Sequence, residues 1–358
     1  MQFYQGAALK TFAEGALAGI SRERILTRQL YRYLESPDDR RVCCLYGLQG
    51  TGKTVMMLQA IEHMNAFDRC LLVRCESGCS VMQIRKEIDA CPESQFLFLA
   101  EATRAQNLIG AASVLADRYA AAGKKVVLTG TESLGFFLAG LDELYGSVQF
   151  LHTTYLSFQE QHMLLGTTLA DYLRYGGTLS PKHVFHEAKT AGAYVDSAVV
   201  YNLVHSLEKW NQGRSSGVLA EMVRNGELPA AVRQVLRYLA RQFLARACSA
   251  QGMDWAEQYS LPYAMDSDAA QRILYYLREM DVCGVLPACA GEPQYAFTQP
   301  GMQYQLACRE VQAILTRMMR EQAYSPAAQH QIRQALEQAV CSRIQKERLE
   351  FAAPAEEK

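Results

Sequence analysis

The stretch that decides the fold runs from Val42 to Thr54 and reads Val-Cys-Cys-Leu-Tyr-Gly-Leu-Gln-Gly-Thr-Gly-Lys-Thr. Its first five residues form a continuous apolar run, which is typical of a strand buried on both faces. Residues 47–54 satisfy the pattern G-x-x-x-x-G-K-S/T at every position, and residues 55–61 (VMMLQAI) indicate a buried helix. Strand, glycine-rich loop and helix in this order predict a phosphate-binding loop (P-loop).

The residue types of this loop explain how it would bind phosphate. Glycines let the backbone turn so that successive N–H groups point at phosphate oxygens, and the following helix adds the positive end of its dipole. We expect Lys53 to reach the β- and γ-phosphates and the Thr54 hydroxyl to ligate Mg²⁺. ATP and Mg²⁺ are therefore the expected cofactors. The predicted nucleotide-binding residues are Gly47, Leu48, Gln49, Gly50, Thr51, Gly52, Lys53, Thr54 and Val55.

Three further apolar runs have the same buried-strand character. They are residues 70–73 (CLLV), 96–99 (FLFL) and 126–128 (VVL). An Ala-rich stretch at residues 108–122, ended by Gly123, predicts a helix between the last two. Alternating strands and helices are typical of βαβ units, so the sequence predicts an α/β core with a parallel sheet.

The strand at residues 96–99 leads into Ala100 and Glu101. Hydrolysis at a P-loop calls for an Asp in the Mg²⁺ shell and a Glu that polarises the attacking water, both at the end of a neighbouring strand. Glu101 stands in the second position, which makes it a candidate catalytic residue. Ala100 stands in the first and cannot accept a hydrogen bond from a magnesium-bound water, so we expect weaker metal positioning. A second interpretation makes Glu101 an ordinary first-turn helix residue, favoured by the dipole.

The strand at residues 126–128 is followed by a cluster of hydroxyl side chains. Thr129 and Thr131 are placed to touch the γ-phosphate or the attacking water, and Thr131 joins Glu101 and Lys53 in the predicted catalytic set. The alternative is that these hydroxyls only cap a turn. Both interpretations stay open at this point.

After His152 helical periodicity dominates. Helices are predicted at residues 158–165, 169–175, 183–191, 196–210, 229–250 and 268–280, the last with Ser267 as its N-cap. Strand-like residues 282–287 and 294–297 flank a Gly/Pro turn at residues 290–293. Two helices followed by a two-stranded hairpin are the outline of a winged helix, and the region from Met302 is predicted to be helical and polar.

With these motifs the chain resembles a known family, the bacterial and archaeal P-loop ATPases of the AAA/STAND-like group. The resemblance extends over roughly residues 20–345. Besides the P-loop, the matching stretches are residues 96–104, 126–134 and 297–302. Residues 151–160 are similar to the family's L-S-F-x-E signature, and residues 172–177 are similar to its Y-L-x-x-G-G continuation.

The resemblance implies an ATPase core, a helical segment and a winged helix. The expected domains are a helical segment at 1–38, a P-loop ATPase core at 39–160, a helical subdomain at 161–228, a winged-helix domain at 229–308, and a C-terminal helix with a polar tail at 309–358. The family usually has Asp-Glu where this chain has Ala100-Glu101. Many members continue into a nuclease-like domain, whose Asp…Glu-x-Lys strand pair we do not find here, so nuclease activity is not expected.

Composition narrows the class of protein. The chain has 358 residues, of which 49% are hydrophobic and 20% charged, with a net charge of -1. This excludes a disordered chain and a general polyanion binder. Eleven cysteines, no secretory h-region and no apolar run of about 20 residues favour a cytoplasmic protein with reduced thiols and no membrane partner.

Three functions stay open on this basis. The first is ATP binding with slow hydrolysis that drives a domain-orientation switch, and the second is a pseudo-ATPase scaffold for another protein. The third is a DNA-associated regulator that uses the winged helix. DNA is not favoured, because the candidate recognition helix offers only Arg272 and Arg278 among several acidic residues. A homo-oligomer or a protein partner is compatible with the sequence, but no spacing singles out an arginine finger.

Overall fold

The computed structural model describes residues 1–76, 78–106, 114–132, 134–136, 146–180, 184–210, 217–253, 268–286, 294–321 and 325–352. The chain forms two compact units. The first comprises Met1–Tyr155, Gln159–Gly166 and His205–Arg214, and the second comprises Leu156–Phe158, Thr167–Val204 and Ser215–Lys358.

The first unit is built on a six-stranded sheet. Its strands are β1 (Gln2–Tyr4), β2 (Val42–Tyr46), β3 (Cys70–Arg74), β4 (Phe96–Ala100), β5 (Lys125–Gly130) and β6 (Val148–His152). They lie in the order β1-β3-β4-β5-β2-β6, and only the β1–β3 pair is antiparallel. The sequence predicted an α/β core with a parallel sheet, and the structure confirms an α/β core whose sheet is mostly parallel.

The continuous apolar runs arise because both faces of the sheet are covered. Along β4, Phe98 belongs to one buried cluster while Leu97 and Leu99 belong to another. The Phe98 side is covered by α1 (Gly6–Leu17), α2 (Thr27–Glu35) and α3 (Lys53–Met64). The Leu97 side is covered by α4 (Val81–Ala90) and a π-helical turn at Ala116–Ala120. A strand between two helical layers has no solvent-facing positions, so its sequence does not alternate.

Several elements of this unit differ from the predictions. The helical pattern expected over residues 11–35 is divided into α1 and α2, with Gly19 at φ +85° in between. Of the helix predicted at 108–122, residues 108–113 lie outside the described part of the chain. The short edge strand β1, the edge strand β6 and helix α4, which begins with a capping box at Ser80 and Gln83, were not predicted.

Helices dominate the chain after β6. They are α5 (Phe158–Leu165), α6 (Leu169–Tyr175), α7 (Ala188–Tyr194), α8 (Asn202–Trp210), α9 (Val218–Arg224), α10 (Leu228–Ser249), α11 (Asp268–Glu279), α12 (Pro300–Glu321) and α13 (Pro326–Ala352). A π-helical segment, Val195–Tyr201, joins α7 to α8. The predicted helical region is confirmed, although the helix expected at 183–191 begins later, at Ala188.

Strands β7 (Cys283–Val285) and β8 (Tyr295–Phe297) form an antiparallel pair after α11. The Gly/Pro turn predicted between them and the N-cap predicted at Ser267 lie outside the described residues. Helices α10, α12 and α13 share an apolar core that includes Phe243, Ile314 and Val340. The C-terminal helix is therefore polar on one side and buried on the other.

Two global features bear on the class of protein. None of the helices in the described part of the chain is both long and apolar enough to cross a membrane. Ten cysteines within the described residues are free thiols, and seven of these are buried. Burial raises the pKa of Cys70 to about 12, so this thiol stays protonated and acts as a small apolar group.

Candidate nucleotide-binding site

The loop at residues 47–54 has a backbone that only glycine tolerates well. Gly47, Gly50 and Gly52 have φ values of +146°, +80° and +88°. A Cβ atom on Gly47 would lie 2.2 Å from the carbonyl oxygen of Thr153 and 2.5 Å from its Oγ1. The first glycine of the motif is therefore required by close packing against the chain that leaves β6, as well as by its conformation.

Lys53 is the first residue of α3 and is 5% exposed. Its Nζ donates to the carbonyl oxygens of Gly47 and Leu48, both at 2.7 Å. Burial lowers the Lys53 pKa from 10.5 to about 8, and the charge of Glu101 acts in the opposite direction. The ammonium group is thus held inside the loop, where it would meet the phosphates of a nucleotide.

A pair of threonines fixes the inner side of the loop. The Oγ1 atoms of Thr51 and Thr153 lie 2.8 Å apart. Thr51 Oγ1 is also 2.9 Å from the Leu48 carbonyl oxygen, and Thr153 Oγ1 is 2.9 Å from that of Tyr46. Thr153, directly after β6, therefore links the loop to the end of the strand beside β2.

The other predicted loop residues differ in exposure. Leu48 is buried, Gln49 is exposed, and Thr54 and Val55 are half-buried in the first turn of α3. Val55 packs against the apolar cluster beneath α3. Thr54 is therefore the residue of this turn that offers a hydroxyl to a metal ion.

Glu101 follows β4 in a left-handed conformation, with φ +53°. Its backbone N–H donates to Thr129 Oγ1 at 3.3 Å, and its carboxylate lies 3.4 Å from Thr131 Oγ1 and 3.5 Å from Arg104 Nε. A non-glycine residue in this region stores backbone strain, and such strain clusters at functional sites. Glu101 is not the first-turn α-helical residue of the alternative interpretation, since it precedes a short 3₁₀ turn.

The sheet order brings the predicted residues to one edge. β5 lies between β2 and β4, so the loop after β2, Thr131 after β5 and Glu101 after β4 are neighbours. Ligand sites of parallel α/β sheets lie at this carboxyl edge. Ala100 is 2% exposed and belongs to the apolar cluster beneath the sheet, so it offers the site no oxygen ligand.

Two further features of the site lie outside the site residues predicted from the sequence. Arg24 and Glu160 form a buried ion pair against the loop, although 136 residues separate them. His152, at the end of β6, stacks on Tyr46 with ring centroids 4.7 Å apart, and burial followed by the nearby Lys53 charge lowers the His152 pKa. Glu160 is the last residue of the L-S-F-x-E stretch, which is the only sequence feature that could have drawn attention to the pair.

Part of the chain matches a known protein family. Residues 39–162 match a family model described as an AAA domain. The match supports an AAA-type P-loop ATPase family. No protein of established function matched the chain in a sequence comparison. The AAA domain match covers the whole loop, Glu101, Thr131 and Glu160, whereas Arg24 lies outside it.

Two solved structures are similar over most of the chain. Cdc6p from Pyrobaculum aerophilum shares 15% identity over 83% of this chain and 96% of that chain, with a TM-score of 0.32. The S. cerevisiae Hsp104-ADP complex shares 13% identity over 97% of this chain and 50% of that chain, with a TM-score of 0.35. At such low TM-scores these likenesses carry no functional argument beyond that of the AAA domain match.

Proposed function

We propose that this chain binds ATP with Mg²⁺ at the P-loop and hydrolyses it slowly to ADP and phosphate. We further propose that this cycle switches the orientation of the core and C-terminal parts. The observation that most supports nucleotide binding is the loop itself, with three glycines at positive φ and the Lys53 ammonium buried within it.

The residues of the site have distinct roles in this proposal. Backbone N–H groups of the loop and Lys53 would hold the phosphates, and the Thr54 hydroxyl would ligate the metal. Mg²⁺ would neutralise charge on the phosphates. Glu101 would orient the attacking water and accept its proton, while Thr131 holds the Glu101 carboxylate.

The oxygen donors near the loop fit Mg²⁺ only in part. Thr54 and Glu101 offer oxygen atoms of the kind that Mg²⁺ prefers, but Ala100 supplies none where a carboxylate is expected. Slow turnover follows from this. The same observation, with Arg104 beside the Glu101 carboxylate, favours the second candidate, a scaffold that binds ATP without hydrolysing it.

DNA binding through α11 has less support. The Nε of Arg272 lies 2.8 Å from Asp268 on the same helix, so this arginine is already paired with a carboxylate. A phosphate contact would have to replace that pairing. The winged-helix assignment of α10, α11, β7 and β8 remains part of this proposal, as do a protein partner and a homo-oligomer.

Binding is tested by titrating fluorescent ATP into the protein and into Lys53→Ala. We expect loss of binding in Lys53→Ala and unchanged binding in the matched control Lys10→Ala, whose side chain is exposed on α1. Equal affinities for all three proteins would contradict nucleotide binding at this loop.

Hydrolysis is tested by phosphate release from ATP with Mg²⁺. We expect Glu101→Gln to abolish turnover and Ala100→Asp to increase it, while Glu93→Gln, an exposed carboxylate ahead of β4, leaves it unchanged. Turnover in the wild-type protein that equals that of Glu101→Gln would favour the scaffold, provided that ATP still binds.

A further inference from the structure

Arg24 and Glu160 form an ion pair with two parallel hydrogen bonds. Arg24 Nε lies 2.8 Å from Glu160 Oε1, and Nη2 lies 2.8 Å from Oε2. The two residues are 4% and 8% exposed. This bidentate geometry fixes the plane of the guanidinium group as well as its position.

The third nitrogen of Arg24 contacts the P-loop. Nη1 donates to the carbonyl oxygen of Thr51 at 2.5 Å and to that of Thr154 at 3.2 Å. Glu160 therefore holds a guanidinium whose remaining N–H groups join the loop to the chain that follows β6.

The segment that carries Arg24 is itself tied to α3. The side-chain amide of Gln59 donates to the Arg22 carbonyl oxygen at 2.9 Å, and the backbone N–H of Thr27 donates to the Arg24 carbonyl oxygen at 3.0 Å. Arg24 thus reaches the loop from a backbone that is anchored to the helix following that loop. A long side chain held at both ends loses little further freedom when the loop binds a ligand.

The contact with Thr51 has a consequence for phosphate binding. The carbonyl of residue 51 and the N–H of residue 52 belong to one planar trans peptide, so they point in opposite directions. A hydrogen bond that holds the Thr51 carbonyl towards Arg24 directs the Gly52 N–H away from it. Gly52 precedes Lys53 at the start of α3, where the N–H groups of a P-loop face the phosphates.

We propose that Arg24 and Glu160 are positioning residues for phosphate binding: through the Thr51 carbonyl they hold the peptide between Thr51 and Gly52 with its N–H facing the ligand. This inference rests on the proposed function, because it concerns the same loop. An apolar pair of similar size could stabilise the fold equally well but could not donate to a carbonyl. That difference separates positioning from a purely structural role.

The decisive variant is the double substitution Arg24→Met with Glu160→Leu. It removes the charges together and fills the space with apolar side chains, so we expect a folded protein that loses less stability than either single variant, although the Thr51 and Thr154 carbonyls lose a donor. The dissociation constants for ATP and for inorganic tripolyphosphate, which probes the loop alone, should both rise roughly 10- to 100-fold. Arg24→Lys keeps the charge but loses the planar fork, so its dissociation constants should lie between those of the wild type and those of the double variant.

A matched control is the ion pair between Arg118 and Asp89 on the surface, with Nη2 2.8 Å from Oδ2. Replacing these two residues by Met and Leu should leave both dissociation constants unchanged. Lys53→Ala serves as the control for the proposed function, and urea unfolding monitors the stability of every variant.

The outcomes separate the two proposals. If Lys53→Ala loses binding but the folded double variant retains wild-type affinity for both ligands, the positioning role is wrong and nucleotide binding stands. If the wild type binds neither ligand, the proposed function itself is wrong. If the double variant does not fold, Arg24→Lys decides: weaker binding at wild-type stability supports the inference, and unchanged binding overturns it.

Discussion

The buried ammonium of Lys53 should cost the nucleotide-free protein stability, and this cost should depend on pH. Lys53 is 5% exposed, and its pKa is lowered from 10.5 to about 8, chiefly by burial. The perturbation that isolates this effect is Lys53→Met, which keeps most of the side-chain volume and removes the charge. Both proteins are compared without nucleotide and with a chelator present.

The magnitude follows from the two pKa values. They differ by about 2.5 pH units, and each unit corresponds to about 1.4 kcal/mol, which gives about 3.5 kcal/mol. Below pH 8 the lysine is protonated in both states, and the folded state bears the full cost of burying the charge. Between pH 8 and pH 10.5 the unfolded chain binds more protons than the folded one, so stability rises with pH in this window and then levels off.

The assay is urea unfolding of both proteins at intervals from pH 7 to pH 11. Buried thiols act in the opposite direction, because burial raises the pKa of Cys70 to about 12 and the unfolded chain releases its proton first. Subtracting the Lys53→Met profile from the wild-type profile removes this contribution, since both proteins contain the same cysteines. The unfolding free energy of the wild type should rise by about 3.5 kcal/mol relative to that of Lys53→Met between pH 8 and pH 10.5. A constant difference across that window would refute the reasoning.

Other predictions concern single positions. Gly47→Ala should abolish ATP binding and severely lower the melting temperature, because its Cβ would lie 2.2 Å from the Thr153 carbonyl oxygen. The control is Gly123→Ala, at φ +91° with open space around the Cβ, which should lower the free energy of unfolding by only about 1–2 kcal/mol in the same melting experiment. Phe98→Ala should lower the unfolding free energy by about 3–5 kcal/mol, measured in urea, because this side chain is fully buried in the sheet. Asn65→Ala should lower the free energy of unfolding in urea by about 1 kcal/mol, because Asn65 caps the end of α3 at φ +44°, a left-handed conformation that alanine adopts poorly. Asn65→Gly should not lower it, because glycine tolerates this conformation. Equal losses in the two variants would contradict this explanation.

The parts of the fold that the sequence predicted are those with a strong local signal. The apolar runs at β2, β3, β4 and β5 have one explanation, burial on both faces, and the structure shows both faces covered. The edge strands lack that signal. β1 has only three residues, and β6 exposes part of its length, so neither forms a continuous apolar run.

The same distinction applies to the site, where local patterns could be predicted and long-range contacts could not. Residues 47–54 are contiguous, so their pattern could be recognised without knowledge of the fold. Glu101 and Thr131 could be proposed because each follows a predicted strand, and parallel strands end at one edge. Nothing local connects Arg24 to Glu160, whose contact depends on the path of the chain around β2 and β6. Spacing predicts neighbours within one element, and it does not predict pairs that only the tertiary fold brings together.

Three departures from ordinary folding rules in the first unit lie together at the carboxyl edge of the sheet. Lys53 is a buried charge, Glu101 has a left-handed backbone, and Gly47 lies where a Cβ atom would not fit. The buried charge and the left-handed backbone each cost stability in the absence of a ligand, while the strand interiors nearby obey the usual pattern of apolar burial. A ligand that accepts hydrogen bonds from backbone N–H groups and pairs with the ammonium would offset the cost of the buried charge. The buried charge and the strained backbone at this edge therefore support phosphate binding on physical grounds that add to the sequence motif.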